Sequence, residues 1–164
     1  MKYITAVPAS AGLAVGTVRS LRHTQSGLGR AVRSPKEEQE AFENAVREAQ
    51  DQLIRLERRA AAQDRDIFMV QRVLLEDEGL RQEVASYIRV GAGAAASVER
   101  AAGIFAGRIR ALEDPSMRAR ACDILDACRR VVNVLDGPPH ETLRLTGPAT
   151  LVAEAPYPTD ILPP

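Results

Sequence analysis

The chain has no tryptophan, three tyrosines and three phenylalanines in 164 residues. Aromatics amount to only 4%, which argues against an all-β sandwich, because strands favour aromatic and β-branched side chains. Charge of one sign is also missing: 22 basic and 22 acidic residues cancel. No net field draws the chain toward nucleic acid or an anionic membrane. No apolar run approaches the roughly 18 residues of a membrane span. The apolar start Met1–Val7 is interrupted by Pro8, Ser10 and Gly12 and carries a single Lys. It is therefore expected to be a mature N-terminus of a cytoplasmic protein.

Cysteine is equally scarce. Cys122 and Cys128 stand six residues apart, roughly 9 Å along a helix axis, too far for a bridge and at no zinc-binding spacing. The two histidines are isolated. His23 lies in a polar connector and His140 follows two prolines. Neither has the Ser, Cys or carboxylate neighbours of a triad or the second His of a helix-borne metal motif, so both read as solvated. Gly91-Ala92-Gly93 lacks the third glycine and the strand–turn–helix setting of a nucleotide loop and reads as a turn between helices.

What is present is ordinary globular material: 45% hydrophobic and 27% charged residues, enough for one modest core. Three stretches follow one another. Residues 1–33 hold two strand candidates, Tyr3–Val7 and Leu13–Val18, and a polar connector. Residues 34–137 are helical. Ser34-Pro35-Lys36-Glu37 has the form of a capping box with Pro at the first helical position. Phe42, Val46, Ala49, Leu53, Leu56 and Ala60 then share one helix face, in a helix expected to reach about Gln63. Ile67, Phe68, Leu74 and Leu75, then Leu80, Val84, Tyr87 and Ile88, form two shorter stripes. Gly79 between them weakens a helix, so a break is expected there. Val98, Ala102, Phe105, Ile109 and Leu112 make another stripe. Asp114-Pro115 opens a last helix lined by Met117, Ala121, Ile124, Leu125, Cys128, Val131, Val132 and Leu135, which Gly137-Pro138-Pro139 ends. Residues 138–164 hold one more strand candidate, Thr150–Ala153, and a proline-rich tail.

The expected fold class is therefore mainly α. An antiparallel helical bundle is carried between a few short strands of an incomplete α/β unit. Open strand edges invite pairing with another copy. Glu76-Asp77-Glu78 is either a solvated helix end or an acidic, leucine-flanked bend that docks a basic partner.

Three ordered segments resemble the N-terminal region of Enzyme I of the bacterial phosphoenolpyruvate-dependent sugar phosphotransferase system. Ala9-Ser10-Ala11-Gly12-Leu13-Ala14-Val15-Gly16 is similar to that family's opening Ala-Ser-Pro-Gly segment. Ile67-Phe68-Met69-Val70-Gln71-Arg72-Val73-Leu74-Leu75-Glu76-Asp77 is similar to its Ile-Phe-x-x-His-x-x-(Met/Leu)-Leu-x-Asp motif, with Gln71 in place of the histidine. Arg120-Ala121-Cys122-Asp123-Ile124-Leu125-Asp126, followed by Leu151-Val152-Ala153 and Pro158-Thr159-Asp160, is similar to its third set. Ala11 stands for the usual Pro, and Pro156-Tyr157 for Asp-Leu.

The resemblance implies that residues 34–137 form a helical subdomain that docks the phosphocarrier HPr. It would be inserted into a phosphohistidine α/β subdomain contributed by residues 1–33 and 138–164. Leu74, Leu80 and Ile109 would be apolar anchors with Met117 at the rim. Asp77 and Glu78 would supply charge, and Gln71 and Arg120 polar contacts. The same leucines, Ile109 and Met117 also fit a core, and Arg120 also fits pairing with Asp123 or Asp114. The family's phosphorylated histidine lies in a Gly-Gly-x-(Thr/Ser)-Ser-His segment that has no counterpart up to Pro164. The chain alone is thus expected to have no catalytic residue and no cofactor, Mg2+ belonging to the C-terminal barrel of the parent phosphoenolpyruvate-protein phosphotransferase. Two other assignments fit the same residues. One is the corresponding region of a dihydroxyacetone-kinase phosphoryl donor or a nitrogen-type Enzyme I. The other is a helical interaction module with a different partner.

Overall fold

The computed structural model describes residues 15–21, 32–62, 65–112, 114–136 and 149–153. Two strands, β1 (Thr17–Leu21) and β2 (Ala149–Ala153), pair in parallel, Thr17 opposite Ala149 and Leu21 opposite Ala153. Among the described residues, five helices lie between them in sequence: α1 (Pro35–Arg59), α2 (Arg65–Glu76), α3 (Glu78–Arg89), α4 (Ala94–Arg110) and α5 (Pro115–Asp136). The fold is mainly α, as the periodicities indicate.

α1 starts where the capping box places it. The Ser34 N–H donates to Glu37 Oε2 at 2.9 Å, and Ser34 Oγ accepts from the Glu37 N–H at 3.4 Å. The helix ends at Arg59, four residues before the expected Gln63, because Ala60 turns to an extended conformation (ψ 150°). Ala60-Ala61-Ala62 favours helix by propensity, but the chain must turn back there for α2 and α3 to run antiparallel along α1. That course is marked by Arg72 with Glu57 at 3.7 Å, Gln50 with Glu76 at 3.2 Å and the Arg81–Glu43 ion pair. α3 and α4 are antiparallel in turn, with Arg100 stacked 4.5 Å over the Tyr87 ring. Gly91, at φ 93°, supplies the left-handed residue of the turn between them.

The core is one cluster that draws on all five helices. It includes Phe42, Leu53, Phe68, Leu75, Val84, Ile88, Val98, Ile124, Val131 and Val132. Small side chains (Ala49, Ala101 and Ala127, all fully buried) let the helices approach closely. Cys122 and Cys128 are free thiols, and burial pushes that of Cys128 up to about 12.

Strand boundaries differ from expectation at the N-terminal side. β1 begins at Thr17, not Leu13, and Val15 is 90% exposed. Its position is set by the ladder with β2, a long-range pairing that local apolar patterning does not report. Tyr3–Val7, both histidines and the Pro158–Asp160 segment lie outside the described residues.

One buried carboxylate ties the bundle's entrance together. Glu38 is 5% exposed. It accepts from the Ala94 N–H at 2.8 Å, at the start of α4, and from the Arg33 N–H and Nε, each at 3.1 Å. Burial alone pushes the carboxyl up, but the Arg33 guanidinium and the two backbone donors outweigh it, and it titrates at about 2. A carboxylate held below its usual range contributes stability that is complete above about pH 4.5 and lost as pH falls toward 2. Arg33 is 37% exposed and screened by water, so we expect Glu38→Gln to cost on the order of 2 kcal/mol near neutral pH. Thermal melts of both proteins across pH should converge near pH 2; a gap independent of pH would refute this account.

Candidate functional site

The expected docking residues fall on two elements that are continuous with α4. The first is the corner between α2 and α3. The break falls at Asp77 and not at Gly79. Asp77 leaves the helical conformation (φ −58°, ψ 119°), and its Oδ1 accepts from the Leu80 N–H at 2.8 Å as the N-cap of α3. Gly79 lies within the first turn of α3, where a Cβ would stand 3.5 Å from Phe105 Cζ on α4 and 3.2 Å from Asp77 Oδ1. The distance to Phe105 is ordinary contact, and the tighter neighbour is the capping oxygen of Asp77, so the glycine eases the cap rather than breaking the helix.

The three acids of the corner have distinct surroundings. Glu76 accepts from Gln50 of α1 at 3.2 Å. Asp77 caps α3. Glu78 is exposed and accepts from Gln82 one turn later at 2.9 Å. Carboxylates at a helix N-terminus are favoured by its positive end, and Asp77 and Glu78 both lie exposed at the N-terminus of α3.

The second element is the passage from α4 to α5. Ile109, one turn after Phe105, is half-buried against the core, and Arg108 lies 5.5 Å over the Phe105 ring. Leu112 and Met117 are 46% and 42% exposed. Arg120 pairs with Asp123 at 3.3 Å and remains half exposed. Burial pushes the Asp123 carboxyl up, Arg120 opposes this, and the Asp126 charge adds to it.

Two expected contacts are core residues instead. Leu80 is 5% exposed and belongs to the core cluster, because the Asp77 cap turns the first turn of α3 inward at that position. Gln71 is fully buried, and its Nε2 donates to Asp126 Oδ2 of α5 at 2.8 Å. A side chain with no exposed surface touches no docked partner, so the polar contact expected of Gln71 is made within the fold. Leu74 is half-buried and packs on the core. Asp77, Glu78, Met117 and Arg120, with the outer edges of Leu74 and Ile109, remain accessible. Sequence reading did not single out the exposed Met69 and Val73 of α2, 44% and 58% exposed. Their spacing of four residues, opposite the Phe68–Leu75 stripe, was the available signal.

Among the described residues no group of three His, Cys, Asp or Glu side chains could hold a metal ion, and no helix is long and apolar enough to cross a membrane. A shallow depression between α1 and α3, lined by Pro35, Lys36, Gln39, Gln82, Ala85, Ile88 and Arg89, brings no acid and base together. The charged, apolar-edged corner beside α4 is suited to recognition of another surface.

Residues 5–120 match the family described as PEP-utilising enzyme, N-terminal. The chain is 31% identical over 137 residues to a multiphosphoryl transfer protein of Xanthomonas campestris pv. campestris, a match covering 81% of this chain and 16% of that protein. Two solved structures share the fold. A solution structure of Enzyme I is 21% identical with a TM-score of 0.65, covering 93% of this chain and 65% of that one. The N-terminal domain of a protein called Enzyme 1 – Nitrogen is 24% identical with a TM-score of 0.65, covering 83% and 58%.

Because Asp77 is both a cap and a surface charge, the two roles separate by substitution. Asp77→Ala should destabilise the fold by about 1 kcal/mol, whereas Asp77→Asn, which still caps, should stay within a few tenths. Equal melting losses for the two variants would show that the charge, not the cap, is what α3 requires.

Proposed function

The chain belongs to the PEP-utilising enzyme N-terminal family, and from that premise we propose that its bundle docks an HPr-type phosphocarrier during phosphoenolpyruvate-dependent phosphoryl transfer serving sugar uptake. The observation that carries the reading is the exposed acidic corner Asp77–Glu78 at the start of α3. It supplies charge complementary to a basic carrier surface. Leu74, Ile109 and Met117 supply apolar edges, and Arg120 a polar rim.

The domain organisation proposed with it treats residues 34–137 as a helical insertion. Residues 1–33 and 138–164 then belong to one α/β unit. The parallel pairing of β1 with β2, on either side of the five helices in sequence, supports that division. The chain spans 16% of the length of the curated relative it matches, and the docking role is the part of phosphoryl transfer proposed for it. A carrier that must leave after each transfer needs a small, transient interface. Electrostatic pairing suits that need because it raises the association rate and sets orientation more than it adds affinity.

Titrating isotope-labelled HPr-type carrier with the chain should shift carrier resonances around its phosphorylatable histidine. Asp77→Asn combined with Glu78→Gln should weaken binding several-fold without lowering the melting temperature by more than a degree or two, and added salt should weaken the wild type more than the variant. Absence of any shift with folded wild-type chain would overturn the docking reading.

A further inference from the structure

A polar pair occupies the apolar seam where α2 meets α5. Gln71 is 0% and Asp126 2% exposed, and Gln71 Nε2 donates to Asp126 Oδ2 at 2.8 Å. Around it, Phe68, Leu75, Ile124, Ala127 and Cys128 are apolar and buried. Gln71 lies on the same α2 face as Phe68 and Leu75, three residues after one and four before the other. By position it is a core residue with a polar head.

The charge of Asp126 also acts on Arg130, one turn further along α5. Gln71 Oε1 is buried without a hydrogen-bond partner, as is Arg130 Nε on the same helix as Asp126. Arg130 donates through Nη1 to Gln52 of α1 at 3.3 Å and feels the Asp126 charge, while burial pulls its guanidinium down. An apolar pair of similar volume generally packs such a seam as well or better. A buried hydrogen bond adds direction: it is made at one axial and rotational setting of α2 on α5, while apolar contacts tolerate several. Six residues beyond Gln71, the same helix ends at Asp77. A slip or rotation of α2 would therefore carry the Asp77 cap and the Gly79–Phe105 contact with it.

We propose that Gln71 and Asp126 are positioning residues, a buried directional pair that holds the α2–α3 corner in the single setting at which it meets a docked partner. The assignment rests on the docking reading for its consequence in binding, though not for its consequence in structure. A merely stabilising pair would be replaceable by any substitution that restores stability. A positioning pair would not.

The test replaces the pair by apolar side chains, Gln71→Met with Asp126→Leu, and separately reverses its polarity, Gln71→Glu with Asp126→Asn. Should the apolar version not fold, the reversed pair and each of its single substitutions carry the comparison. Amide resonances of Glu76–Leu80 and affinity for HPr-type carrier are measured well below the melting temperature. The expected result is an apolar variant that, measured well below its own melting temperature, shows broadened or doubled corner resonances and binds carrier roughly tenfold more weakly. The reversed pair should restore single resonances and most of the affinity, and its single substitutions should not. Single, unshifted corner resonances in the apolar variant, or in the single substitutions if that variant does not fold, would overturn the proposal. If wild-type chain binds no carrier, the docking reading fails, and the corner resonances alone decide the positioning role.

Discussion

The ladder between β1 and β2 constrains everything placed between them. Leu21 and Ala149 belong to neighbouring strands of one sheet, so the chain that leaves the first must return beside it. A bundle meets that demand at low entropic cost once it is folded, because closing the loop is then a matter of two connectors rather than of the whole insertion. Within the bundle, Glu38 fastens Arg33, just ahead of α1, to the start of α4 through one desolvated carboxylate. The far end of α2 is left to form an exposed corner.

Within the bundle, packing and recognition use the same elements for different ends. α2 turns Phe68 and Leu75 inward and Met69 and Val73 outward. Asp77 ends one helix, begins another and stays on the surface. Asp77 Oδ1 both caps α3 and stays on the surface, so one side chain serves packing and display at once.

Much of this was legible in the residues themselves. The capping box at Ser34, the Gly91 turn, the Pro115 start of α5 and most of the apolar stripes follow from local rules and are found in the structure, whereas Leu112 and Met117, at the edges of their stripes, are exposed. The departures have a common origin in long-range contacts. α1 stops at Arg59 because α2 needs room to return, which no helix propensity records. β1 is displaced toward Leu21 because its partner strand, more than a hundred residues away, sets the register. Of the two roles open to Leu80, apolar anchor or core, the structure shows core; Gln71, a polar contact by resemblance, interrupts an apolar stripe at core spacing. A polar side chain at such a position signals a buried partner, and the partner, Asp126, was present in the third motif but could not be joined to it from sequence alone. Arg120, for which pairing with Asp123 was one of two local possibilities, does make that pair.

The parallel sense of the two strands has a further meaning. Antiparallel neighbours can be joined by a tight turn, whereas parallel neighbours always need a crossover, usually a single helix. In this chain that crossover holds five helices among the described residues, so the bundle stands topologically where one helix of a β–α–β unit would stand. A connector of this size can carry a surface of its own without altering the sheet that it spans. Removing it would still leave the two strands in need of a helix-length bridge, so deletion cannot reduce this region to a hairpin.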